Sequence, residues 1–209
     1  MIFLSDDYVT KYSDVISYLL GRSHNEGYSF DYIQKTIAYS ETINEFEKSN
    51  VTQIAFSSLE KIYFNTFPNN SNAFTFSEYN AYGWCGYIYV HLFLKMQITF
   101  EALFYLIPFE EMLGLYHLYH EMSISQIEEY ASNKLKYTML DIVMKNVKIS
   151  NNELAEITGI SKATINALRY NKRDIAKLEA DKLLSISQAL NVKMESLLPS
   201  IHLRFYYQK

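Results

Sequence analysis

The 209-residue chain contains one cysteine, three prolines and six glycines. A single thiol, Cys85, cannot close an intramolecular disulfide, and set among apolar neighbours it reads as a small core residue of a protein from a reducing, cytoplasmic setting. Little Pro or Gly punctuation, with apolar residues recurring at helical spacing, makes the fold class mainly α. The most apolar stretch, Trp84 to Phe109, is broken by His91, Lys95, Gln97 and Glu101. It falls short of the ~18 uninterrupted apolar residues of a membrane span and reads as a buried helical hairpin. The first residues lack a basic segment and turn acidic at Asp6 and Asp7, so no secretory signal is expected.

Chemical motifs are missing as well. There is no Gly-rich phosphate loop and no Ser or Cys nucleophile motif, so neither an enzyme nor a bound cofactor is expected. His117 and His120 lie at i, i+3 with Glu110 and Glu111 nearby, but no second ligand pair has metal-like spacing, so no metal is expected. Glu110-Glu111 and Glu128-Glu129 read as solvated faces.

The charge is unevenly distributed. The formal net charge of −4 divides into 6 basic against 16 acidic side chains over residues 1–133, and 13 against 7 over residues 134–209. Of 33 aromatic residues, 28 precede residue 134. Such asymmetry implies two domains and points to a nucleic-acid-binding module on the basic side. With 49% hydrophobic residues, both parts can bury a core. The expected division is an acidic, aromatic-rich helical domain over 1–133, a basic domain over 134–200, and a tail over 201–209. No Pro/Gly linker marks the change near Ser132–Lys136, so a shared helix or close packing is expected there.

In the first part, apolar spacing predicts helices over Asp6–Leu20, ended by Gly21, and over Ser29–Lys48. Asn50–Ala55 reads as an extended connector, Ser57–Phe67 as a short helix, and Asn69–Asn72 as a loop. Further helices are expected over Ser77–Met96, Thr99–Leu106, Pro108–Leu118 and Ser123–Asn133, with Ser77, Thr99 and Ser123 as N-caps.

From Leu135 onward the residues become specific. Ser150-Asn-Asn-Glu153 has the form of a capping box that starts a helix whose inner face is Leu154, Ala155 and Ile157. Gly159 supplies the left-handed position at its end, and Ser161 caps a second helix, Lys162–Tyr170. Ala155, Gly159 and Ile165, at relative positions 0, +4 and +10, put a small residue, a reversal and an apolar seal where two helices cross steeply. That is the spacing of a helix-turn-helix.

The segment Asn152-Glu-Leu-Ala-Glu-Ile-Thr-Gly-Ile-Ser-Lys-Ala-Thr-Ile-Asn-Ala-Leu-Arg-Tyr-Asn-Lys-Arg resembles the Cro- and phage-repressor-like helix-turn-helix of the XRE family. Leu183–Val192 is similar to that family's fourth helix and Met194–Leu198 to its fifth, so the resemblance spans about residues 136–198 and implies a five-helix, lambda-repressor-like domain. It further implies that the helix starting at Lys162 enters the major groove. Lys162, Ala163, Thr164, Asn166 and Ala167 then face base edges: Lys162 suits guanine, Ala163 or Thr164 a thymine methyl, and Asn166 adenine. Asn151, Ser161, Arg169, Asn171, Lys172 and Arg173 are assigned to phosphates. Since Ala163 offers no hydrogen bond, DNA shape is expected to share in discrimination.

The acidic part has two readings at its aromatic stripe, Tyr79 through Phe93. It is either core packing or a partner surface built on Tyr82, Trp84, Tyr87 and Tyr89. The segments Tyr82-Gly-Trp-Cys-Gly-Tyr-Ile-Tyr and Leu118-Tyr-His-Glu-Met are similar to helical domains of antitoxin-like proteins. The function expected is a sequence-specific transcriptional regulator that binds double-stranded operator DNA. It would act as a repressor and homodimer, with half-sites one helical turn apart, and as the antitoxin of a toxin–antitoxin pair. The alternative is an inhibitor encoded by a phage or mobile element, whose acidic domain binds a nucleic-acid-processing protein. In the tail, Leu203, Phe205 and Tyr207 alternate with other residues, as in a short strand or a docked extension.

Overall fold

The computed structural model describes residues 2–3, 6–48, 57–68, 79–136, 138–198 and 205–206. The expected connector at 50–55, the loop at 69–72 and the Ser77 cap lie outside the described residues, as do Leu203 and Tyr207 in the tail. The chain divides into two compact units, Met1–Ser123 with His202–Lys209, and Ile124–Ile201. The expected border at 133/134 follows the change in charge, whereas packing places the division one helix earlier.

In the first unit, α1 (Asp6–Asn25) buries Val9, Tyr12, Val15, Ile16, Leu19 and Leu20 on one stripe and opens on Asp6 and Asp7, which suit the positive helix end. It does not stop at Gly21. That glycine is buried within the helix, and the left-handed turn comes at Gly27, φ +86°. The long helix expected over 29–48 is two, α2 (Phe30–Ala38) and α3 (Glu41–Glu47), because Ser40 caps α3 by accepting from the Ile43 amide at 3.2 Å. There follow α4 (Leu59–Thr66), α5 (Tyr79–Met96), α6 (Phe100–Leu106), which Thr99 caps, and α7 (Phe109–Tyr119).

Helix α5 is buried around most of its circumference and packs chiefly along α1. Gly86 permits that approach: a Cβ there would lie 2.6 Å from the Ser13 carbonyl oxygen and against Ser17 Oγ. Two members of the expected partner surface are interior. Tyr89 is fully buried and donates to the Ile107 carbonyl at 2.7 Å, and Tyr82 is buried with its hydroxyl 2.8 Å from His24 Nδ1. Trp84 and Tyr87 are half-buried, edge-on to Tyr116 and stacked on His91 respectively. The stripe follows the buried circumference of a central helix, and the side chain of Tyr79 lies outside the described residues. The backbone of β2 (Phe205–Tyr206) pairs in parallel with β1 (Ile2–Phe3), joining the two ends of the unit.

The second unit begins with α8 (Ile124–Lys134), which buries Ile127 and Ala131, and continues through α9 (Met139–Asn146), α10 (Asn151–Thr158), α11 (Lys162–Arg169) and α12 (Ala180–Leu190). No helix bridges 132–136: α8 ends at Lys134 and Thr138 caps α9, accepting from the Asp141 amide at 3.2 Å. The segments Ile175–Lys177 and Met194–Leu197 are 3₁₀ turns, so the expected fifth helix is a tighter turn. Leu140, Val143, Met144, Leu154, Ile165, Leu168 and Ile186 form the core. Ile157, expected on the inner face of α10, is 62% exposed, although it lies three residues beyond buried Leu154. Over Ile124–Ile201 there are 11 basic and 9 acidic residues, against 8 and 14 in the first unit, so half of the charge contrast disappears with this division. Among the described residues no helix is long and apolar enough to cross a membrane.

Candidate nucleic-acid interface

Local chemistry fixes the two helices of the site. The Ser150 hydroxyl accepts from the Glu153 amide at 3.2 Å while the Glu153 carboxylate accepts from the Ser150 amide at 2.8 Å, so both ends of the capping box are closed. Hydrogen bonding from the Ser150 side chain and backbone holds the Glu153 carboxyl below its ordinary pKa. Gly159, φ +70°, ends α10 by donating to the Ala155 carbonyl at 2.9 Å. Ser161 then caps α11, accepting from the Thr164 amide at 3.2 Å with its hydroxyl 2.9 Å from Thr164 Oγ1. α10 and α11 pack on each other, α12 supports α10, and α9 supports α11.

On α11, Ile165 and Leu168 point into the core while Lys162, Ala163 and Asn166 are exposed together at i, i+1 and i+4. Thr164 and Ala167 are half-buried at the edges of that face. Beyond the helix, Asn171 takes φ +55°, and both the Lys172 and Arg173 amides donate to the Ala167 carbonyl, at 2.8 and 3.1 Å. The chain turns sharply, leaving the Lys172 and Arg173 side chains exposed beside the helix end. Asn171 supplies the left-handed backbone of this turn, a conformation that Asn tolerates. From Ile157 to Arg173 there are four basic residues and no acidic one. Lys162, Lys172 and Arg173 form no ion pair among the described residues.

Arg169 departs from its expected role as a phosphate clamp. Its Nε and Nη2 donate to Asp141 Oδ1 at 3.0 and 2.5 Å, and its Nη1 donates to Asn151 Oδ1 at 2.5 Å. The guanidinium side chain is 13% exposed and the carboxylate 2%. With each of its three nitrogens donating inside the domain, Arg169 ties α11 to α9 and α10 and does not reach outward. Thr138 adds a second tie, donating to the Arg169 carbonyl at 3.0 Å. Asn151, expected on a phosphate, is part of the same network: its Nδ2 donates to Asn166 Oδ1 at 3.2 Å.

Asp141 is the functional residue that sequence reasoning missed. An acidic side chain in the first turn of a helix reads as a dipole complement, and nothing local announces a partner 28 residues away. The arrangement as a whole is an exposed helix face with hydrogen-bonding and cationic side chains, flanked by free cations and rigidly set from behind. Such a face fits a groove lined by phosphates and base edges.

No curated protein and no solved structure matches the chain. The helix-turn-helix geometry and a family-model match over residues 139–199 agree, and the chain carries there a Cro/C1-type HTH DNA-binding domain.

Proposed function

We propose that the protein is a sequence-specific transcriptional repressor that binds operator DNA as a homodimer, with α11 in the major groove. The observation that carries this reading is the exposed Lys162, Ala163 and Asn166 face beside Lys172 and Arg173, in a stretch from 157 to 173 free of acidic side chains. Lys162 and Asn166 read base edges, Ala163 meets a thymine methyl, and Lys172, Arg173 and the free amides at the start of α11 hold phosphates. Two copies then place two such helices one turn of duplex apart.

The first unit acts by binding and not by catalysis, as the antitoxin half of a toxin–antitoxin pair that represses its own operon. Support comes from the acidic excess of that unit, 14 acidic against 8 basic side chains, and from its exposed apolar side chains Tyr32, Tyr39, Phe64 and Leu118. The test is binding of the full chain to the DNA preceding its own gene, with the neighbouring gene product co-expressed. A specific complex with two copies per site, and a co-purifying neighbour, are expected. Equal affinity for operator and scrambled duplex would overturn the regulatory reading, and a neighbour that never co-purifies would overturn the antitoxin one.

A further inference from the structure

The polar network behind α11 has a direction, and that direction determines what the recognition face can read. Asp141 is buried and acts only as an acceptor, and Arg169, which fills it with two N–H groups, acts only as a donor. The remaining Arg169 nitrogen, Nη1, therefore requires an acceptor from Asn151, and Asn151 turns Oδ1 toward it at 2.5 Å. This leaves Asn151 Nδ2, a donor, facing α11, where Asn166 must answer with an acceptor and does so with Oδ1 at 3.2 Å. A carboxamide with its oxygen held inward presents its NH₂ outward. Asn166 is exposed on the face that also carries Lys162 and Ala163.

We infer that Asp141, Arg169 and Asn151 orient the Asn166 carboxamide so that it offers a hydrogen-bond donor to the base pair beneath it, making Asn151 a specificity-determining residue. The base favoured there is guanine, whose N7 and O6 are adjacent acceptors in the major groove, and the base rejected is cytosine, whose N4 amino group is a donor. This narrows the expectation that Asn166 pairs with adenine, which needs an outward acceptor as well as an outward donor. Asn151 and Asn166 lie 15 residues apart on two helices, so the base preference depends on a residue, Asn151, that never touches the base. The inference rests on the proposed operator binding, and it makes a prediction that operator binding alone does not.

The test selects binding sequences for the full-length protein from a pool of duplexes with a random central segment. The position under Asn166 is the one whose preference vanishes in Asn166→Ala. Guanine is expected there for the natural protein. In Asn151→Asp the new carboxylate still accepts from Arg169 but cannot donate, so the Asn166 amide turns its NH₂ inward and its oxygen outward. The preference at that one position should move from guanine to cytosine, a swing of roughly tenfold in relative enrichment, with the rest of the motif kept. Asn166→Asp, at an exposed site that leaves the core intact, should give the same move by removing the donor directly. A role confined to holding the helices together would lower affinity without changing the base selected.

Guanine retained in Asn151→Asp or in Asn166→Asp overturns the inference while leaving operator binding intact. A motif unaffected by Asn166→Ala does the same. A natural protein that selects no sequence overturns the proposed function, and the inference with it.

Discussion

Replacing Asp141 with Leu should destabilise the second unit and spare the first. The Asp141 side chain is 2% exposed and answers two N–H groups of Arg169, which is itself 13% exposed. Lys145, also on this carboxylate at 2.7 Å, is 62% exposed and contributes little. Removing the acceptor strands a nearly buried guanidinium, a loss of about 3–5 kcal/mol for a pair of this kind. Arg169 keeps its bond to Asn151, so the lower end, about 3 kcal/mol or a factor of about 150 in the opening equilibrium, is the expected value. Amide hydrogen exchange on the full chain reads this locally: protection in α9–α12 should fall by that factor while protection in α5 is unchanged. The double variant Asp141→Leu, Arg169→Met removes both charges and should return to within about 1 kcal/mol of the natural protein. If Asp141→Leu leaves α9–α12 protected, or the double variant is as labile as the single one, the ion pair does not organise this unit.

Three further outcomes follow from the first unit. Gly86→Ala forces a methyl against Ser17 Oγ and within 2.6 Å of the Ser13 carbonyl, so a loss of about 1–3 kcal/mol or more in urea unfolding is expected, and an unchanged midpoint would refute the close crossing of α1 and α5. Tyr12 is buried with no hydrogen-bond partner for its hydroxyl among the described residues, so Tyr12→Phe should hold stability or raise it by about 1 kcal/mol; a clear loss in thermal unfolding would mean that the hydroxyl has a partner. The Cys85 thiol is pushed up to about 12 by burial, so iodoacetamide at neutral pH should label it only after denaturant opens the unit; rapid labelling of the native protein would contradict its interior position.

Legibility in the sequence followed the range of the interactions. The Ser150–Glu153 box, the Gly159 reversal and the Ser161 cap each depend on residues within four positions, and the structure forms all three. Residues set by longer contacts were misread. Arg169 beside Lys172 and Arg173 looks like part of one basic run until Asp141, folded against it from α9, claims its donors. Periodicity could not tell that Ile157 is exposed, because it lies three residues from buried Leu154 and only the tertiary fold decides how much of that face is covered. In the first unit, apolar spacing ran unbroken across Ser40, whose hydroxyl nevertheless starts a new helix. Tyr82 and Tyr89 have the composition of an interface and the surroundings of a core. The border between units was misplaced because side-chain charge changes after Asn133, while Ile127 and Ala131 already pack with the second unit.

The central claim is that the face of α11 and the cations just after it contact duplex DNA. Its most direct measurement is the salt dependence of binding, by fluorescence anisotropy on the selected duplex, for the natural protein and for Lys172→Ala, Arg173→Ala. With one phosphate lost per cation in each copy, the slope of log affinity against log salt should become shallower by about 1.8 per protomer, with the base preference unchanged. A slope that stays the same, or a base preference that changes with it, would contradict the placement of these residues on the backbone and of α11 in the groove.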